Sequence, residues 1–188
     1  MTEASSHQIV IAGVGGQGVL FTARVLTEAA RRRGLPVIGS ETHGMSQRGG
    51  SVAAHLKLGR FWSPLVADGE ADLLVGLEPV EAHRALACLR AGGGAVCVVN
   101  ASPERPFPHP SVAPLLGDAG VRVSVIDADA AALEMGSSLL ANLILLGHGT
   151  TVEGFPFTFE EICSAVEALS PPARRPGNLA ALERGRHG

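Results

Sequence analysis

A chain of 188 residues that is 46% hydrophobic and 18% charged can bury a substantial core, and at ~150 residues per domain it fits one domain spanning 1–188. Its formal charge of −3, from 15 basic and 18 acidic residues, supplies no basic stripe for a nucleic-acid backbone. Cys88, Cys97 and Cys163 form no CxxC, which argues against a metal site or iron–sulfur cluster held by this chain alone and against a disulfide framework, and fits a reducing cytoplasm.

The first element is read at Gln8-Ile9-Val10-Ile11-Ala12-Gly13, a β-branched run of the kind buried parallel strands carry. Val19, Ala23, Leu26 and Ala30 then fall at helical spacing, with Arg31, Arg32 and Arg33 free to reach water, Gly34 as the stop and Pro36 preventing resumption. Val37-Ile38-Gly39 is a second strand, and the order strand–glycines–helix–strand reads as a βαβ unit.

After the polar stretch Glu41 to Gly50, strands are expected at Ser51 to Leu58, at Asp72 to Leu77, at Ala95 to Asn100 and at Val121 to Ile126. A helix is expected at Glu78 to Arg90. Four prolines make Ala101 to Pro110 a loop. Asp127 to Leu146 holds one helix, or two parted near Gly136. Thr158 and Glu161 form a capping box for the last expected helix, ended by Pro171 and Pro172. Arg174, Arg175, Arg184 and Arg186 read as a solvated end or a partner contact. No signal peptide opens the chain, and the apolar run Leu139 to Leu146 is too short to span a bilayer, so a cytoplasmic protein without a membrane contact is expected. The class is α/β, a Rossmann-like, mainly parallel sheet with helices on both faces.

Two segments carry candidate chemistry. Gly13, Gly15 and Gly18 match GxGxxG between strand and helix, where glycines permit a tight turn and the helix N-terminus attracts anions; Gly13, Gly15, Gly16, Gln17 and Gly18 are the candidate cofactor-binding residues. The competing reading is that these glycines only pack helix against sheet. Val19 and Leu20 stand where a P-loop requires Lys and Ser or Thr, which excludes nucleoside triphosphate hydrolysis. Glu41, at the end of the second strand, is spaced as a ribose ligand would be, and keeps open a stand-alone NAD- or flavin-dependent enzyme. The second segment is a glycine-rich polar loop whose His43, Ser46, Gln47, Arg48, Gly49 and Gly50, with Glu41, can present hydrogen-bonding groups to a ligand or partner. No metal-ligand spacing surrounds His43, His55 or His83, and Ser46 lacks a GxSxG elbow.

Val10-Ile-Ala-Gly-Val-Gly-Gly-Gln-Gly-Val-Leu20 taken with Glu41-Thr-His-Gly-Met-Ser-Gln-Arg-Gly-Gly-Ser-Val52 resembles the gamma-type domain of 2-oxoacid:ferredoxin oxidoreductases, above all the small beta subunit of the indolepyruvate enzymes. The likeness continues through Asp72 to Pro79 and the Asn178-Leu179 region. It implies oxidative decarboxylation of a 2-oxoacid with coenzyme A to acyl-CoA and CO2, with electrons passed to ferredoxin. It also implies a larger partner subunit carrying thiamine diphosphate, Mg and 4Fe-4S clusters, because the diphosphate motif of the family is missing here and the nearest string is Gly117-Asp118-Ala119. This chain is then inactive alone, binds no cofactor of its own with coenzyme A as the one candidate, and helps shape the active-site interface. Met45 and Phe61-Trp62 are read as interface residues. A pure scaffold with the same fold is the remaining alternative.

Overall fold

The computed structural model describes residues 6–43 and 49–188, and of residue 43 the backbone only. Six strands form one sheet in the order β2-β3-β1-β4-β5-β6: β1 (His7–Val14), β2 (Val37–His43), β3 (Ser51–Leu58), β4 (Leu73–Gly76), β5 (Val96–Asn100) and β6 (Arg122–Ile126). β1, β4, β5 and β6 pair in parallel, while β3 runs antiparallel to both β1 and β2. The mixed α/β class with helices on both faces is as expected, with one correction. The β1–helix–β2 segment is not a unit of neighbouring strands, because β3 turns back through a short hairpin and takes the place beside β1.

Helices α1 (Val19–Arg32), α4 (Ala128–Glu134), α5 (Ala141–Gly149), α6 (Phe159–Leu169) and α7 (Arg175–Arg186) bury one face of the sheet; α2 (Pro79–Ala85) and α3 (Val112–Asp118) cover the other. Alternation in β1 sends Ile9 and Ile11 to the first layer and Val10 and Ala12 to the second, and all four are buried. The expected helix to Arg90 ends early, at Ala85, and tightens into a 3-10 turn over Leu86–Cys88. Gly136, at φ 82°, parts α4 from α5, so the second of the two expected arrangements holds. The capping box forms at Thr158, and Glu161 also pairs with Arg33, tying α6 to the end of α1.

A whole helix escaped the sequence reading. Residues beyond Pro172 are not a loose tail: α7 lies along α5 with Ala181 and Leu182 fully buried. Of the arginines read as solvated, Arg184 pairs with Glu134 at 3.3 Å and Arg186 lies 4.4 Å from the centre of the Phe159 ring. The missed signal is Leu179, Leu182 and Gly185, spaced three apart, behind a proline at the second helical position.

Asn100 joins the layers at the end of β5. Its Nδ2 donates to the Leu77 carbonyl at 3.2 Å, and its Oδ1 accepts from the Ala128 and Asp129 N–H groups at 2.9 and 3.3 Å, capping α4. Asn100→Ala strands these groups in the interior and is expected to lower stability by ~3 kcal/mol in urea titration. Asn100→Asp, which keeps the acceptor at a helix N-terminus, is expected to lose less.

Candidate functional site at the sheet switch point

At the carboxyl ends of β1 and β4 the chain departs in two directions, α1 to one face and α2 to the other. Open α/β sheets bind ligands in the crevice such a divergence leaves. Here it gathers the glycine turn 13–18, the C-terminal side of the β2–β3 hairpin loop (Gly49 to Ser51), and Glu78 to Glu81. The two segments singled out in the sequence therefore meet, because Val14 lies opposite Ser51 in the β1–β3 register.

The turn is built by close approach. A Cβ on Gly13 would come within 3.0 Å of Leu77 Cβ and Val19 Cγ2, and Gly18, at φ 87°, would press a Cβ to 2.4 Å from Asn142 Nδ2. Gln17 folds back so that its Oε1 accepts the Val14 N–H at 2.9 Å. The Gly15 N–H donates to the Gly50 carbonyl at 2.9 Å, continuing the β1–β3 ladder. These bonds correct the expected cradle. Gly15 has spent its N–H within the chain and Gln17 braces the turn. The N–H groups of Gly16, Gly18 and the first turn of α1 are those without an acceptor among the described residues. No acidic residue occupies that first turn, so the dipole end stays positive.

A cavity of about 500 Å³ opens beside this turn, between α1, the start of α5 and the approach to α7. Phe21, Leu139, Leu140, Leu143 and Pro171 make it apolar, and Asn142, Asn178 and Arg174 supply its polar points. Asn142 is buried, and its Oδ1 has no hydrogen-bond partner among the described residues. Asn178 Nδ2 is held on Ser170 Oγ at 2.8 Å, and Arg174 is the one charged side chain of the lining among the described residues. A mostly apolar cavity whose lining also holds a cation and the start of a helix suits an anion with an apolar arm. Sequence reading missed Asn142 and Arg174 because both depend on the unforeseen packing of α7 and α5.

Across the crevice, Ser51 Oγ donates to the buried Glu81 carboxylate at 2.6 Å, which also accepts from Arg84 at 2.6 Å. Ser46, Gln47 and Arg48 lie outside the described residues, as does the His43 side chain; Gly49 stands against the glycine turn, its N 3.6 Å from where a Gly15 Cβ would be. Glu41 is exposed on β2, separated from β1 by β3, hence roughly 10 Å farther along the sheet than β1 itself. A ribose-binding acid needs its strand beside the glycine strand, so the strand order removes the support Glu41 gave to a dinucleotide enzyme.

Among the described residues no group of three His, Cys, Asp or Glu side chains is placed to hold a metal. The Cys97 thiol lies in the core of β5, where burial pushes its pKa up to about 12, and Cys163 on α6 is raised to about 11, first by burial and then by Glu183, Glu160 and Glu167. Cys88 and Cys97 pack with the α2–α3 layer and Cys163 with the opposite one, so the three thiols do not share one side of the sheet and the residues present do not fit an iron–sulfur cluster. His55 is buried under the segment after β3 and accepts the Val66 N–H on Nδ1 at 3.3 Å; burial, then the charge of Lys57, holds its pKa below the usual range. Phe61 lies with its ring centre 5.2 Å from Lys57 Nζ, and Trp62 is wholly exposed. No helix among the described residues is long and apolar enough to cross a membrane.

Fold and site together define an α/β chain with a glycine turn at its switch point and, among its described residues, no group of side chains placed to hold a metal. The family profile for pyruvate ferredoxin/flavodoxin oxidoreductase matches residues 8–187. The chain is 34% identical to the indolepyruvate oxidoreductase subunit IorB of Methanothermobacter thermautotrophicus, over 96% of each chain. It is 36% identical to IorB of Thermococcus kodakarensis, over 95% of this chain and 94% of that one. The gamma subunit of a keto/oxoacid ferredoxin oxidoreductase from Geobacter sulfurreducens shares the fold, with a TM-score of 0.73 at 22% identity over 96% of both chains. The chain belongs to the pyruvate ferredoxin/flavodoxin oxidoreductase family.

Proposed function

We propose that this chain is the small subunit of a cytoplasmic 2-oxoacid:ferredoxin oxidoreductase acting on an arylpyruvate such as indolepyruvate, and that residues 1–188 form one gamma-type domain. The observation that carries the reading is the end-to-end likeness to indolepyruvate oxidoreductase subunits. The reaction consumes a 2-oxoacid, the thiol of coenzyme A and two oxidised ferredoxins. It yields acyl-CoA, CO2, a proton and two reduced ferredoxins. Thiamine diphosphate with Mg would take up the carbanion left by decarboxylation, and 4Fe-4S clusters would carry the electrons; both belong on the larger partner subunit, through which ferredoxin is also met.

This chain binds and positions. The free N–H groups of Gly16 and Gly18, the start of α1 and the Arg174 guanidinium receive phosphate groups of coenzyme A, while the apolar cavity wall receives its uncharged arm. His43, Ser46, Gln47, Arg48, Gly49 and Gly50 order the active-site wall of the partner, with Trp62 as an exposed contact for it.

The test uses the assembled complex. Arg174→Ala is expected to raise KM for coenzyme A about tenfold, a loss of ~1.4 kcal/mol, with kcat at saturating coenzyme A and KM for the 2-oxoacid unchanged. An unaltered KM for coenzyme A contradicts the assignment of the cavity.

A further inference from the structure

The six-stranded sheet has two edges, and they are treated differently. Beside β6, Arg122 reaches the turn after α5, donating from Nη1 to the Glu153 carbonyl at 3.1 Å, and Ser124 Oγ meets His148 Nε2 at 2.8 Å. Beyond β2 the described residues place nothing. β2 is seven residues long, holds no proline or lysine, and pairs with β3 in an unbroken register from Val37 opposite Leu58 to His43 opposite Val52. Such an edge is normally blunted by a bulge, a charge pattern or a covering segment.

The direction of each backbone group is set by one bond. The Gly59 N–H donates to the Pro36 carbonyl at 2.8 Å, and antiparallel pairing alternates from there. Ile38, Ser40 and Thr42 therefore turn their N–H and C=O groups toward β3, and Val37, Gly39, Glu41 and His43 turn theirs outward.

We propose that β2 pairs with β2 of a second copy of this chain, antiparallel about a two-fold axis through Ser40, joining two sheets into one. Ser40 is the midpoint of the strand, so this register uses every outward group on both copies. It sets Val37 opposite His43 and Glu41 opposite Gly39. Moving the axis one residue, to Glu41, would oppose two carboxylates.

The side-chain layout complements itself in the same register. Gly39 and Glu41 share the α1 face of the sheet, since their β3 partners Leu56 and Ala54 belong to that core layer. An open groove there is lined by Arg24, Thr27, Gly39, Glu41 and Leu56. The Glu41 of the second copy, lying over Gly39, enters this groove toward Arg24. Arg24 is exposed and, among the described residues, contacts the Phe21 ring at 5.8 Å and forms no ion pair. Symmetry makes the Glu41–Arg24 pair twice. The proposal is independent of the catalytic reading.

Sedimentation equilibrium of the full chain across the micromolar range tests it. Wild type is expected at twice 19.3 kDa. Glu41→Arg and Arg24→Glu are each expected to raise the dimer dissociation constant at least tenfold, and the two together to bring it back to within about threefold of wild type, because the pair is reversed. Glu41→Pro removes an outward N–H while leaving the β2–β3 ladder intact, so it is expected to give a folded monomer with an unchanged circular dichroism spectrum. A monomeric wild type overturns the proposal, whether or not β2 then pairs with the larger subunit. A dimer that survives the three single variants, and so uses another face, overturns it equally.

Discussion

Gly185→Ala is expected to be the most destabilising small substitution in the chain, lowering the free energy of unfolding by ~3 kcal/mol or more. A Cβ there would sit 1.9 Å from the Ile144 carbonyl oxygen and 3.0 Å from the His148 nitrogen. On the facing helix, Gly147 would place a Cβ 2.1 Å from the Leu182 carbonyl oxygen. The obstacle is backbone on both sides, so no rotamer change relieves it. α7 would have to lift from α5 and uncover Ala181 and Leu182, both fully buried. Gly177 supplies the control. It lies in the same helix with nothing within 4 Å of its Cβ position, and Gly177→Ala is expected to be neutral or to stabilise by ~0.5–1 kcal/mol. Urea titration of the two variants side by side separates a packing role for glycine from helix propensity.

Gly18→Ala is expected to damage stability and coenzyme A affinity together. At φ 87° an alanine costs ~1–2 kcal/mol of backbone strain, and its Cβ would also displace the Asn142 side chain from 2.4 Å. Relief comes either by moving Asn142 or by shifting the start of α1, and both border the cavity assigned to coenzyme A. KM for coenzyme A in the assembled complex is therefore expected to rise at least tenfold. Gly16→Ala carries similar strain at φ 101° but has nothing within 4 Å of the added carbon. It is expected to lose stability without the contact with Asn142. Adding Asn142→Ala to Gly18→Ala should recover part of the stability loss; a strictly additive double variant would show that the Asn142 contact is not the source of the damage.

The central strands were legible because each is a short apolar run bounded by glycine, proline or polar turn residues, and Val96 to Asn100 is an example in which every residue is buried. The position of β3 was not legible. An eight-residue apolar alternation is compatible with a place at either side of β1, and only its antiparallel pairing with both β1 and β2 fixes it in the gap. That displacement is why Glu41 looked like a ribose ligand in spacing and is not one in space. The glycine turn was found at its proper residues, yet the use of each N–H was not, since the Gly15–Gly50 bond is a long-range ladder contact. α7 was missed because its buried stripe is narrow and leans on glycine, a residue that normally signals the end of a helix. With α7 went the cavity, whose Arg174 and Asn178 have meaning only once that helix is docked.

Whether this chain works as a subunit is tested by its anaerobic affinity purification, tagged, from its source cells, with assay of the bound material for iron, thiamine diphosphate and coenzyme A-dependent dye reduction by 2-oxoacids. The expected result is recovery of a larger subunit carrying iron and thiamine diphosphate, with activity on indolepyruvate or another arylpyruvate that is lost when this chain is removed and regained when it is restored. Recovery of the chain without such a partner, or of a larger subunit whose activity is the same with and without it, would show that the chain is not a working subunit of such an enzyme.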